Sequence, residues 1–175
     1  MRAALIGGPC TGKSTLCNEL AGRGYEIVPE GARQIILEQK LIEAHTPTAA
    51  KLPWTNFAAF EELVLERQLH LEARIQTDNA FLDRGVLDVI AYCKMGNVVL
   101  PSSLSRLQTR NRYTHIFLLD QLPYRNDAER TETPEQAARV HHTIAGIYRE
   151  YGYNLIHLPV MSVQERADKI LQHVR

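Results

Sequence analysis

Near its amino terminus the chain reads Gly7-Gly8-Pro9-Cys10-Thr11-Gly12-Lys13-Ser14-Thr15, a frame opened by glycine and closed by glycine, lysine and two hydroxyls. Each residue type answers a need of polyphosphate binding. Glycines let the backbone curl so that its N–H groups converge on phosphate oxygens. A helix that begins at the end of the frame adds its partial positive charge. The Lys13 ammonium would reach the β- and γ-phosphates of ATP or GTP, and the Ser14 hydroxyl would ligate Mg²⁺. A glycine turn that matched by chance would lack this context: the apolar run Ala3-Ala4-Leu5-Ile6 leads in, and Ser14 to Leu20 continues as a helix.

A second group follows the third apolar run, in Ala80-Phe81-Leu82-Asp83-Arg84-Gly85. An aspartate at the end of a strand beside a phosphate loop holds Mg²⁺ or its waters, which makes Asp83 the partner of Ser14 in a metal site. The planar fork of Arg84 suits an anionic or hydroxylated acceptor. The plainer alternative is an exposed Asp-Arg pair in a turn, which contributes little. Glu30 follows the run Tyr25 to Val28 and would either take a proton from an acceptor hydroxyl or hold that hydroxyl in line. Otherwise it is an acid favoured by a helix dipole.

Phosphoryl transfer spreads negative charge over the moving group, and a closing segment that delivers arginines would neutralise it. The stretch Tyr124 to Arg130 offers Arg130 first and Arg125 second, or else it is a solvated run of charge. The neighbours His141 and His142 diverge around a helix and make no metal site by themselves. Trp54, the only tryptophan, suits either an acceptor pocket or packing.

The elements that must position these residues show themselves by pattern. Short apolar runs at about 2–6, 24–28, 79–82, 114–119 and 153–158 alternate with amphipathic stretches, as in a parallel α/β sheet wrapped by helices. Phe57, Phe60, Val64, Leu71 and Ile75 predict a helix over about 55–77. Val140, Ile144, Ile147 and Tyr151 predict another over about 134–151, capped by Thr133 with Gln136. Ser162 and Glu165 cap a last helix with the inward stripe Val163, Ala167, Ile170 and Val174. Irregular segments at about 45–54, 96–103 and 120–133 are long enough to be binding segments or lids.

Bulk properties narrow the field. A chain of 175 residues fits one domain, and 45% hydrophobic with 23% charged residues is the composition of a globular protein. Twenty basic and twenty acidic side chains cancel, so neither nucleic acid nor an anionic membrane is an expected partner. Cys10, Cys17 and Cys93 lie in no metal-ligand spacing, and reduced thiols in the cytoplasm are expected. No apolar run approaches the length of a membrane span or a signal peptide.

Taken together, Gly7 to Thr15, Pro29-Glu30-Gly31-Ala32-Arg33, Asp83-Arg84-Gly85, Asp88 through Ala91-Tyr92 and Asp127 to Arg130 resemble predicted AAA-type ATPase domains. These are similar to the ribosylnicotinamide kinase domain of bacterial NAD regulators. The resemblance spans essentially the whole chain. It implies a P-loop α/β fold of three layers, nucleoside/nucleotide-kinase-like, with five parallel strands in the order 2-3-1-4-5 and a lid over residues 120–133. It implies that an acid, Glu30 or Asp83, serves the acceptor. The chain lacks the adenylyl-transfer and DNA-binding domains of those regulators. Its lid reads Asp127-Ala128-Glu129-Arg130 in place of Asp-Gly-x-Arg, so a nicotinamide riboside substrate does not follow.

The expected activity is transfer of the γ-phosphoryl of Mg-ATP to a hydroxyl of a small nucleoside-like or other metabolite acceptor. That acceptor would lie between residues 30–60 and 84–95. The alternative is an ATP- or GTP-dependent regulatory switch, although the guanine-specific Asn-Lys-x-Asp pattern is absent.

Overall fold

The computed structural model describes residues 1–107, 109–123 and 133–174. Five strands, β1 (Arg2–Ile6), β2 (Glu26–Val28), β3 (Ala80–Asp83), β4 (His115–Leu119) and β5 (Leu155–Leu158), form one sheet in the order β2-β3-β1-β4-β5. Every neighbouring pair is parallel. Among the described residues the helices are α1 (Lys13–Gly22), α2 (Ala32–His45), α3 (Phe57–Ala73), α4 (Val86–Met95), α5 (Pro134–Glu150) and α6 (Val163–His173).

The strands read as unbroken apolar runs because both faces of the sheet are covered. Ala4, Ile6, Leu82, Ile116 and Leu118 pack on one face with Val86 and Leu87 of α4 and Val140 and Ile144 of α5. Ala3, Leu5, Phe81, Phe117 and Leu119 pack on the other with Leu16 and Leu20 of α1 and Ala167 and Ile170 of α6. Each such fully buried large side chain contributes about 1.5–3 kcal/mol. The result is the three-layer arrangement that the sequence implies.

Two strands, β2 and β5, start two residues later than their apolar runs suggest. Helices α1 and α5 end with Gly24 at φ 89° and Gly152 at φ 84°. The next residues bond back into the helices, Tyr25 N–H to Leu20 O at 3.2 Å and Tyr153 N–H to Tyr148 O at 3.0 Å. These are Schellman closures, and they use up the residues that would otherwise open β2 and β5. The capping boxes form as expected: Gln136 N–H donates to Thr133 Oγ1 at 3.3 Å and Glu165 N–H to Ser162 Oγ at 3.2 Å.

The inner face of α3 differs from its apolar stripe. Its buried positions are Phe60, Glu61, Leu65, Gln68 and Glu72, whereas Val64 and Leu71 are only half-buried. Two of the three polar inward positions serve a network: Gln68 and Tyr113 Oη both donate to Glu72 Oε1, and Arg112 donates to Glu72 Oε2, whereas Glu61 Oε2 has no hydrogen-bond partner. In α5, Tyr148 is fully buried, and Tyr151, the residue after the helix, is only partly buried. Trp54 belongs to neither core; it is 61% exposed and lies under the Lys40 ammonium at 5.7 Å.

Because all strands run the same way, their carboxyl ends share one edge. The loops that leave β1, β2, β3, β4 and β5 therefore meet there, and with them Gly7, Glu30, Asp83, Asp120 and Pro159.

Candidate functional site

The loop from Gly7 to Gly12 links β1 to α1, and no side chain caps the amino terminus of that helix. Gly12 sits at φ 81°, where a side chain would be strained, and Cys10 tolerates φ 58° in the same turn. Gly8 is required for another reason: a Cβ there would lie 2.7 Å from Ala137 O and 3.0 Å from His141 Cβ of α5. The Gly8 N–H donates to His141 Nδ1 at 3.3 Å. That acceptor must be a neutral imidazole, and burial, with His142 next, holds its pKa below the ordinary histidine value.

Lys13 is folded back into the loop. Its ammonium donates to Gly7 O at 2.9 Å, Gly8 O at 2.8 Å and Thr11 Oγ1 at 3.0 Å. It is only 6% exposed, and burial, reinforced by the Arg84 charge, lowers its pKa to about 8. Thr11 Oγ1 donates in turn to Gly8 O at 3.1 Å.

Asp83 stands at the end of β3 in register with Leu5, one residue before the end of β1. Ser14 Oγ donates to Asp83 Oδ2 at 2.8 Å, while Oδ1 is buried without a hydrogen-bond partner. A buried carboxylate oxygen without a partner needs an explanation. A hydrated Mg²⁺ supplies one, since it takes one or two protein oxygens and completes its shell with water and phosphate. Among the described residues no three His, Cys, Asp or Glu side chains cluster as a metal site. The Ser14–Asp83 pair fits the metal that sequence reasoning placed there.

Arg84 follows with φ 77°, an unusual backbone for a residue with a side chain. Its N–H donates to Leu5 O at 3.1 Å and its carbonyl accepts from Gln68 Nε2 at 3.4 Å, which together hold that conformation. The guanidinium donates to Glu30 Oε1 at 2.8 Å and Asp88 Oδ1 at 3.3 Å and lies 5.5 Å from the centre of the Tyr92 ring. Burial opposes charge on Glu30, but Arg84 and then Lys13 outweigh it and hold the carboxyl below the usual range. Asp88 also accepts from Tyr148 Oη at 2.8 Å and from the Gly85 N–H at 3.2 Å.

A cleft of about 260 Å³ opens beside the Ser14–Asp83 pair, lined by Ser14, Asn18, Ile27, Glu30, Arg33 and Asp83 among others. The structure thus brings together the loop residues Gly7, Gly8, Pro9, Cys10, Thr11, Gly12, Lys13, Ser14 and Thr15 with Glu30, Asp83 and Arg84. Arg125 and Arg130, and most of the 120–133 segment, lie outside the described residues.

Sequence reasoning weighed His141 only as a metal ligand and did not single out Arg166. His141 carries no local signal. Arg166 carries a faint one: it falls on the buried stripe of α6, three residues after Val163 and four before Ile170. It donates to Thr11 O at 2.5 Å, Pro159 O at 3.0 Å and Asp120 O at 3.1 Å.

The sequence profile of the AAA domain family matches residues 2–166. The chain belongs to the AAA domain family. No curated protein sequence matches it. Among solved structures, the deoxyadenosine kinase from M. mycoides with dCMP and dCDP bound superimposes with a TM-score of 0.66 at 15% identity, covering 99% of this chain and 98% of that one. The NadR protein in complex with NAD and AMP-PNP gives a TM-score of 0.65 at 18% identity, over 98% of this chain and 48% of that longer one. Shikimate kinase from Aquifex aeolicus gives 0.57 at 17% identity, over 99% and 96%. At these identities the likeness establishes the fold, a nucleoside/nucleotide-kinase-like P-loop domain, and this AAA-family chain carries that fold from β1 to α6. No described helix is long and apolar enough to cross a membrane.

Proposed function

We propose that the chain is a kinase that transfers the γ-phosphoryl of ATP, or of GTP in its place, to a hydroxyl of a small nucleoside-like or related metabolite. The observation that carries this reading is contiguity. Ser14 and Asp83, the pair suited to Mg²⁺, line the same cleft as Glu30 and Arg33. A donor held by the loop and an acceptor seated in that cleft would meet at the metal.

Gly7 to Thr15 would cradle the β- and γ-phosphates, with Lys13 swinging from the loop carbonyls onto the γ-phosphate oxygens. Mg²⁺, held by Ser14 and organised by Asp83, would neutralise charge on the phosphates. Glu30, kept ionised by Arg84, would accept the acceptor's hydroxyl hydrogen bond and direct the oxygen at phosphorus. The acceptor oxygen would bond to the γ-phosphorus as the phosphorus bond to the β–γ bridging oxygen breaks to release ADP, and the hydroxyl proton would pass to Glu30 and from there to solvent. Arg84 would hold Glu30 in place, and Arg125 and Arg130 would close over the phosphates.

The fold shared with deoxyadenosine kinase and shikimate kinase supports phosphoryl transfer to a small hydroxylated acceptor. The test is ADP release from Mg-ATP and GDP release from Mg-GTP across a panel of nucleosides and small polyols. One or more acceptors should accelerate release well above the rate with water alone. Slow hydrolysis that no acceptor accelerates, with nucleotide affinity intact, would favour a nucleotide-dependent switch instead.

A further inference from the structure

We infer that Arg166 is a positioning residue for the phosphate loop, holding the Thr11–Gly12 peptide in the orientation that a triphosphate requires. The inference rests on the nucleotide-binding reading above.

Arg166 is 3% exposed, and its side chain enters the molecule from α6. It reaches three carbonyls from three segments, each of which follows a strand: Thr11 after β1, Asp120 after β4 and Pro159 after β5. The docking of α6 does not need a cation, because Ala167 and Ile170 already pack in the core with Leu16 and Leu20 of α1. Burial of a guanidinium is costly, and here it lowers the pKa of the group. What the charge provides lies in the loop.

A trans peptide directs its C=O and the next N–H in opposite senses. None of the described peptide bonds is cis. With Thr11 O drawn onto Nη1 at 2.5 Å, the Gly12 N–H faces away from α6. A Cβ built on Gly12 lies 3.5 Å from the same Nη1, so the cation stands directly beside the turn. Thr11 passes the constraint on, since its hydroxyl accepts from Lys13 Nζ at 3.0 Å. Arg166 therefore fixes both a backbone donor and the register of the lysine.

The test is calorimetric titration of Mg²⁺ with the non-hydrolysable ATP analogue AMP-PNP. Arg166→Met should weaken binding roughly ten-fold or more. Arg166→Lys, which keeps a cation but loses the fork, should fall between it and wild type, and carries the measurement alone if the methionine variant does not fold. Arg23→Met is the control. Arg23 also ties α6 to α1, through Asp168 at 2.5 Å and Gln164 O at 3.4 Å, but those bonds do not involve the phosphate loop. Its loss should leave affinity at the wild-type value. The inference is overturned if Arg166→Lys binds like wild type, or if Arg23→Met costs as much affinity as the Arg166 variants. A folded wild-type protein that gives no binding heat overturns the nucleotide reading itself, and this inference with it.

Discussion

Asp83 holds Ser14 with one oxygen and leaves the other buried and unbonded. That asymmetry costs free energy in the protein alone and would be relieved by the hydrated cation proposed above. Asp83→Asn should therefore shift the Mg²⁺ dependence of turnover to higher concentration, by about 10- to 100-fold, and slow transfer. The variant should unfold no more readily than wild type. An unchanged magnesium titration would remove Asp83 from the metal site. Asp83 and Ser14 could be read from the chain because strand, acid and hydroxyl announce themselves locally. Arg166 could not, because its meaning lies in three carbonyls more than forty residues apart in sequence for two of them, at Thr11 and Asp120.

The helices show where periodicity fails as a guide. In α4 every residue from Val86 to Ala91 is buried, so no polar face marks it as a helix. In α2 only Ile35 and Gln39 are buried, while Leu37 and Leu41 are exposed, so its apolar residues do not mark its inner face. Apolar periodicity predicted α3, α5 and α6 and left α2 and α4 unassigned. The contact of α5 with the phosphate loop yields a prediction of its own. Gly8→Ala drives a methyl group into the α5 backbone at Ala137 O, so loop and helix must part. The expected loss is about 1–3 kcal/mol of stability, measured by urea unfolding, together with weakened AMP-PNP binding. Full affinity in this variant would mean that the loop does not need its seat on α5.

The molecule as a whole is electrically neutral, yet apart from Glu72, which pairs with Arg112, it gathers its buried charge at one edge of its sheet. Lys13, Glu61, Asp83, Asp88 and Arg166 are all at most 6% exposed. Such burial opposes stability and is retained where chemistry needs it. Glu61 makes the cost measurable. Its Oε2 is buried without a partner, and burial raises its pKa to about 8, against the pull of Arg84. A carboxyl whose folded pKa is raised favours the fold fully below its unfolded value of 4.5 and loses that contribution as pH climbs through about 8. Between those limits Glu61 should cost the wild-type protein on the order of 5 kcal/mol. Glu61→Gln should flatten that decline in unfolding temperature. A decline of equal slope in the variant would assign it to other groups. The α/β class was readable from the apolar runs and the sheet order was implied by the family resemblance, whereas this charge pattern was not readable, because neutrality of the whole conceals separation within.

The lysine folded into its own loop has a consequence for the solvent. Burial lowers the Lys13 pKa to about 8, so near that pH part of the population should hold an uncharged amine. An incoming polyphosphate would recharge it, and the proton must come from the buffer. Heats of AMP-PNP association at pH 8 should then differ between Tris and phosphate, whose ionisation enthalpies differ widely, and converge at pH 6. Identical heats in both buffers at pH 8 would show that the ammonium keeps its proton throughout.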